Sequence, residues 1–447
     1  MGTVNNFGNV LLPAGSNTID VQTLLNSAIQ AASIPMQMLQ QQQANVQTQS
    51  SALQSIQTDI NALGTAVSAL SDSNGAMNAF TATSSDSKVL SATADPTASV
   101  GTHLIVVSSL ATTSSYYTNA VASLTTTLAT GTFQIAVGSN PAATITVDNT
   151  NNTLSGLAAA INGQNLGVTA SVITDANGSR LALVSNTSGA AGNITVSGNT
   201  TGLTFNQAAA GANASLTVDG VPISSSSNTI SSVIPGVTLN LSGASPNETV
   251  ALTLSPDSNQ ATSAINTFVS AWNKVMGDLN SEFDVASDGS GGGPLEADNT
   301  LRAIQNQLLS GITYAIGGNN GIVNLASIGV NMNDDGTLTV DTGQLSNVLN
   351  SNFGAVQSFL QGTAGFATMM STTLTQITDP SQGLIAVDLQ GMSQENQDLT
   401  QQINTMQAQL KTKEQLLTQQ YAQMETVLQE MPGMQSQISQ QLTALNG

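Results

Sequence analysis

Apolar side chains recur at two different periods along this chain, and the change of period divides it. Near the start they fall at Val46, Leu53, Ile56, Ile60, Leu63, Val67 and Leu70, spaced seven, three, four, three, four and three residues apart. That spacing draws one stripe along a helix, the seam of a heptad repeat. A second stripe runs towards the end: Leu399, Ile403, Met406, Leu410, Leu417, Tyr421, Met424, Leu428 and Met431, with Lys413 the one charged residue in the seam. Its helix is expected to begin near Met392, to break at Pro432-Gly433, and to resume in QSQISQQLTAL. An earlier helical segment opens at Asn17, which with Asp20 forms a capping pair, and is expected to be interrupted by Pro35.

Between these helical ends the period falls to two. From residue 78 to about 258, short Val, Ile, Thr and Leu runs such as HLIVVSSLA, TFQIAVG, RLALVSN and VTLNLSG alternate with turn residues. Asn177-Gly178 and Asp219-Gly220 read as hairpin turns, whose two central residues both favour positive φ. One helical island, LSGLAAAIN (154–162), interrupts the strands. Helices return in ATSAINTFVSAWNKVMGDLN, in LEADNTLRAIQNQLLSGITYAI beyond the linker SDGSGGGP, and around QLSNVLNSNFGAVQSFLQ; a short hairpin is expected at SIGVNMNDDGTLTVD. The fold class is therefore α+β and multi-domain: a helical, coiled-coil domain built from both chain ends, with two inserted antiparallel β domains. A seam of roughly 40 residues is about 60 Å long, and a helix so long and apolar on one side needs a mate. The N-terminal seam supplies one.

Composition narrows the function. Charged residues are only 7% of the chain, and six Lys and Arg stand against 26 Asp and Glu, for a net charge of −20. A nucleic-acid partner is excluded on that balance, since displacing phosphate counterions needs cations, and an anionic membrane surface is disfavoured for the same reason. No run is long enough for membrane insertion, and the start has neither a basic nor a long apolar region of a cleavable signal peptide. With no cysteine, disulfides and thiolate chemistry are absent. The low-Lys, Thr- and Asn-rich composition nevertheless points outside the cell, hence to a dedicated export route.

Catalytic chemistry is poorly supplied, and no enzyme, cofactor or metal is expected. The single histidine, His103, lies in a strand-like run with no Ser/Asp constellation evident beside it. Asp334-Asp335-Gly336 lacks the ligand spacing of a calcium loop and reads as a hairpin turn. Asp284, Asp288 and Glu296 flank a Gly-rich linker, a poor place to hold two carboxylates at a fixed separation. The first stripe, Val46 to Leu70 with Phe268 and Trp272, is expected to form an intramolecular helical core. The second lacks the charged flanks of a solvated coiled coil and is rich in adaptable Met, which points to an interface filled by other subunits.

Several stretches together resemble the flagellar cap protein family, also called hook-associated protein 2. They are SLTVDGVPISSSSNTISSVIPGVTLNLSG (215–243), INTFVSAWNKV (265–275), PLEADNTLRAIQNQL (294–308), IGVNMNDDGTLTVDTGQLSNVL (328–349) and GTHLIVVSSLA (101–111). SNTIDVQTLLNSAIQAASIPMQML is similar to the family's amphipathic leader, with Pro35 and Leu39 in place. Gln and Ser here replace its usual charges, which weakens the expectation of ion pairs between subunits. A flagellin or hook–filament junction protein would share the helical ends and the LAAAIN element, but not the VDG and DDGTLTVD blocks. A surface adhesin is the other alternative, and the aromatic content of 3% offers it no clustered ring platform.

The resemblance implies a structural cap at the filament tip, outside the cell, sheltering exported flagellin while it folds and inserts. It implies a homo-oligomeric ring of about four to six subunits, contact with flagellin and hook–filament junction proteins, and an export chaperone before secretion. The interface residues so expected are Ile19, Leu24, Leu25 and Leu39 with the stripe from Leu399 to Met431. The expected divisions are a leg segment at 1–45, mobile until assembled; a helical rod from 46–77 with 259–398; a first β domain from 78–115 with 212–258; a second from 116–211; and a coiled-coil leg at 399–447.

Overall fold

The computed structural model describes residues 21–284 and 291–445. The chain opens with α1 (Val21–Ser71) and then runs through β1 (Phe80–Ser84), β2 (Leu90–Ala94), β3 (Gly101–Ser109), β4 (Thr113–Thr118), β5 (Gly131–Val137), β6 (Ala143–Val147) and α2 (Leu154–Gly163). There follow β7 (Val168–Asp175), β8 (Gly178–Ser188), β9 (Ile194–Ser197), β10 (Phe205–Ala209), β11 (Ala214–Val218), β12 (Val221–Ser225), β13 (Thr229–Ile234), β14 (Val237–Leu241) and β15 (Val250–Pro256). The helices α3 (Ser258–Phe283) and α4 (Asn299–Ile312) lead to the hairpin β16 (Val330–Met332) and β17 (Leu338–Val340). The last four helices are α5 (Thr342–Ser351), α6 (Phe353–Gln361), α7 (Phe366–Thr378) and α8 (Leu384–Leu445).

Three separate cores result. The helical core collects Leu53, Ile56, Ile60, Leu63, Val67 and Leu70 of α1 with buried faces of α3 to α8. At its centre Phe268 meets Phe366 edge-on at 5.4 Å between ring centres, Phe366 stacks on Phe359 at 5.9 Å, and Trp272 lies 6.4 Å from Phe268. Each such side chain contributes about 1.5–3 kcal/mol by leaving water. The Trp272 indole N–H donates to the Gly336 carbonyl at 2.9 Å, while the Asn273 side chain donates to the Leu338 carbonyl at 2.8 Å and accepts its N–H at 2.6 Å. Through these bonds α3 carries the β16–β17 hairpin.

The second core lies between a five-stranded antiparallel sheet of order β1-β15-β3-β11-β12 and a three-stranded sheet of order β13-β14-β2. The third joins the sheets β10-β4-β8-β7 and β6-β5-β9 with α2, whose N-terminus Thr153 caps through Gly156 N–H at 3.1 Å. The link between the helical and first β cores is a hydrogen-bonded knot. Gln357 of α6 donates to Asn78 at 2.6 Å, Gln361 donates to the Leu70 carbonyl at 3.1 Å, and Asp257, the α3 N-cap, donates its N–H to the Ala79 carbonyl at 2.8 Å. The link between the two β cores is similar in kind: the Ser188 hydroxyl donates to the Ser226 carbonyl at 2.6 Å, and Asn213 accepts the Ala190 N–H at 2.8 Å.

Several local expectations change. Pro35 does not interrupt its segment and Pro432-Gly433 does not break the last helix: both prolines lie inside continuous helices of 51 and 62 residues. A proline removes one ladder bond, here to the carbonyls of Ala31 and Leu428, but both prolines are exposed and water can reach the freed oxygens. Around Pro35 the register also holds the helix, since Leu25, Ala32, Leu39, Val46, Leu53, Ile60 and Val67 recur every seven residues and are all at least half-buried. The last helix starts at Leu384 rather than near Met392, α4 is shorter than the segment expected, α7 was not foreseen, and Asn352 divides α5 from α6. The Asn177-Gly178 hairpin is present but displaced by one residue: Asp175 pairs with Gly178, so Ala176 and Asn177 span the turn, and only Gly178 has positive φ. Asp219 and Gly220 do turn with φ of 52° and 81°. Asn17, Ile19, Asp20 and Asp288 lie outside the described residues.

Replacing Trp272 by Phe should leave the Gly336 carbonyl buried without its donor and destabilise the helical core by about 1–3 kcal/mol. Urea unfolding followed by circular dichroism would show this as an earlier helical transition, with the β transition unmoved.

Candidate functional site: the stem formed by α1 and α8

The N-terminal half of α1 lies antiparallel along α8. Gln42 donates to Glu395 at 3.1 Å, Gln43 to the Thr400 hydroxyl at 2.8 Å, and Gln49 reaches the Pro294 carbonyl at 3.1 Å. Val46, Leu399 and Ile403 close the junction and are 4, 3 and 7% exposed. One step further out, Leu39 shares a shallow groove with Gln402, Thr405 and Met406. On the α1 side the clamping side chains are all amides, because α1 carries a single charge, Asp59, along its whole length; on α8 they meet one carboxylate and one hydroxyl. That carboxylate faces Lys274 of α3 at 3.2 Å, away from α8.

Apolar cover then fades along α8. Met406, Leu410, Leu417, Tyr421, Met424 and Leu428 are half-buried, and Met431 is 53% exposed. The seven-residue repeat continues across Pro432 to Ile438, which is 58% exposed. On α1, Leu25 and Leu39 are half-buried and Leu24 is exposed. Leu399 and Ile403, expected at a subunit interface, are covered within the chain where α1 packs on α8. Val46, Leu53, Ile56, Ile60, Leu63, Val67, Leu70, Phe268 and Trp272 are all buried. Sequence reading missed Ile34, Met38, Leu416, Val427 and Leu442, all strongly exposed; Met434, one of the methionines read as suited to an interface, is exposed as well. Ile34, Met38, Leu416 and Val427 lie beside the stripes, where a wider apolar arc, rather than a one-residue-wide seam, was the available signal, while Leu442 carries the three–four spacing on past Ile438.

Elsewhere, His103 corrects an expectation: it has an acidic partner. Its Nδ1 lies 2.7 Å from Asp219 Oδ2, and the other carboxylate oxygen accepts the Leu104 N–H at 2.8 Å. The bond from His103, then that from Leu104, hold the Asp219 carboxyl below its usual range. The pair fastens the β11–β12 turn to β3. Of the suggested carboxylate set, Glu296 accepts the Gly292 N–H at 2.9 Å, and the neighbouring Glu282 accepts the Leu295 N–H at 2.8 Å. Both are occupied in shaping the entry to α4. Among the described residues no group of three or more His, Asp or Glu could hold a metal ion.

A helical base made from both chain ends, with β domains inserted and a stem of fading apolar cover, is the architecture of an assembly component. The family models agree with it: flagellar hook-associated protein 2 N-terminus over residues 17–114, its C-terminus over 211–433, and the flagellin hook IN motif over 132–187. The chain is 32% identical over 385 residues to the B-type flagellar hook-associated protein 2 of Pseudomonas aeruginosa, covering 78% of this chain and 81% of that protein. It is 28% identical over 453 residues to flagellar hook-associated protein 2 of Escherichia coli K12, covering 95 and 96% of the two chains. The crystal structure of the D1-D2-D3 domains of the Escherichia coli flagellar cap protein FliD superimposes with a TM-score of 0.58 at 28% identity, over 76% of this chain and 99% of that one. The chain belongs to the flagellar hook-associated protein 2 family.

Two outcomes test the stem and the turn. Leu399→Ala or Ile403→Ala should cost about 2–4 kcal/mol at the α1–α8 junction, whereas Met434→Ala should stay within about 0.5 kcal/mol. Hydrogen exchange along α8 distinguishes them. Asp219 has a depressed folded pKa, so its stabilisation is present above the unfolded carboxylate range and is lost as pH falls through the folded value. Asp219→Asn should therefore flatten the acid side of the β-domain melting profile.

Proposed function

We infer that this chain is a filament cap: it sits at the distal end of the flagellar filament, outside the cell, and promotes folding and insertion of exported flagellin there. The observation that carries this reading is the fading cover of the stem. From Val46 inwards the helices are sealed in their own core, while from Met431 outwards a regular apolar face meets water. Such a face on a long helix is a docking element. The β domains, each with its own core, then form the plate that several copies share.

On this reading the divisions are functional. The leg segments are residues 1–45 and 399–447, the rod is 46–77 with 259–398, and the plate is made by 78–115 with 212–258 and by the insert 116–211. The interface residues proposed for the legs are Leu24, Leu25, Leu39, Met406, Leu410, Leu417, Tyr421, Met424, Leu428 and Met431, with Ile19 and with Met434 and Ile438 added from the exposed face. A ring of about four to six copies, contacts to flagellin and to hook–filament junction proteins, and escort by an export chaperone belong to the same proposal. No helix among the described residues is long and apolar enough to cross a membrane. The family is structural, and the chain's role is assembly.

A strain lacking the gene should release monomeric flagellin into the medium and carry bare hooks; purified protein added back should restore filaments. Met431→Glu with Ile438→Glu should fold with its helical core intact, since both sites are exposed, and fail to restore filaments. Normal filaments in the deletion strain, with no second cap gene present, would sink the reading.

A further inference from the structure

The root of α8 contains a pair of carboxyl groups that neither the core nor the stem accounts for. Asp298 is the N-cap of α4 and accepts the N–H groups of Thr300 and Leu301 at 2.7 and 3.2 Å. Asp388, on the first turns of α8, places its carboxyl within hydrogen-bonding reach of Asp298 and of Thr300. Its Oδ2 is enclosed and has no hydrogen-bond donor among the described residues. Two ionised carboxylates so placed repel one another, and an enclosed anionic oxygen without a donor is costly. One proton resolves both problems: a protonated Asp388 can donate to Asp298, which keeps its capping bonds.

No cation nearby does the same. Arg302, the one basic residue of α4, donates to the Glu296 carbonyl at 3.1 Å and lies over the Phe283 ring at 4.6 Å. Glu296 is held by the Gly292 N–H at 2.9 Å. α7 carries no charged residue, and Asp59 of α1 is engaged by Lys274. The next charges on α8 itself are Glu395, bound by Gln42, and Asp398, bound by Gln394. Burial first, then the hydrogen bond to Asp298 and its charge, push the Asp388 carboxyl up to about 6.

We propose that Asp298 and Asp388 form a proton-operated clamp between α4 and the root of α8, closed in mild acid and loosened at neutral and alkaline pH. The sign follows from the direction of the displacement. A carboxyl that binds its proton more tightly in the folded chain stabilises that contact below its folded pKa, and the contribution is lost as pH rises through about 6. This is opposite to the His103–Asp219 turn, which weakens in acid. The leg is thereby anchored most firmly where the surrounding medium is acidic.

The test is hydrogen exchange on the full chain at pH 5.0 and about 7.5, corrected for intrinsic rates, read in peptides from the start of α8 and from α4. Opening of these segments should increase several-fold at the higher pH: about ten-fold is the full value for a carboxyl moved to about 6, and partial exposure reduces it. Asp388→Asn should remove the dependence while keeping the segments protected. Asp298→Asn, which retains a competent helix cap, should do the same and stands in if the first variant folds poorly. Asp278, also raised by burial and by Asp59, lies between α1 and α3, so exchange there is scored separately. A wild-type chain with pH-independent exchange at the α8 root, or a variant that keeps the full dependence, would overturn the clamp.

Discussion

The inner seam of α1, from Val46 to Leu70, is the contact on which everything else rests. Its helix packs against α3, α6, α7 and α8, and its buried residues run through the helical core. Remove it and the last helix loses its mate, α3 loses a wall, and the knot that fixes the β domains at Asn78 loses its Leu70 anchor. The polar links follow from this packing rather than compete with it. Gln42, Gln43 and Gln361 find their acceptors because the apolar seam has already set the register.

Charge is used sparingly, and where it occurs it is local. Lys274 bridges Asp59 and Asp278, Arg180 closes the β7–β8 hairpin on Asp175 at 2.6 Å, and His103 secures one turn. These are surface fasteners of small individual worth. The stem itself is joined by neutral amide donors, to the Thr400 hydroxyl and the Glu395 carboxylate, and with no pair of opposite charges in these contacts ionic screening has little to weaken. A leg built this way should hold its shape equally in dilute and in salty media.

Much of this architecture was legible from periodicity. The α1 seam, the period-two middle, the helical island and the Asp219-Gly220 turn could be read because each rests on spacing or on one residue's backbone preference. The prolines misled for a definite reason: at Pro35 and Pro432 a local rule about one lost bond was weighed without the solvent-facing placement that makes the loss tolerable. The Asn177-Gly178 register was missed because the β7–β8 pairing runs on to Asp175 and Gly178, which takes Gly178 into the strand and leaves Ala176 and Asn177 at the turn. α7 escaped because FATMMSTTLTQIT is dense in Thr, a residue with weak helix preference, and is helical through burial of Phe366, Met370, Leu374 and Ile377. At the stem, the stripe was visible but its division was not. Whether Leu399 or Met431 is covered depends on how far α1 reaches, and no local pattern encodes that.

One consequence concerns time. Gln42 and Glu395 are 353 positions apart in the chain, and the helical core draws on residues from both sides of the β insert. Whichever end of a threaded chain emerges first, that core must wait for the other, while each β domain can close as soon as its own strands are out. A truncated or stalled molecule would thus present finished β domains on an unfinished base. Completion of the whole chain becomes a condition for engagement, and the topology inspects each copy before it can be used.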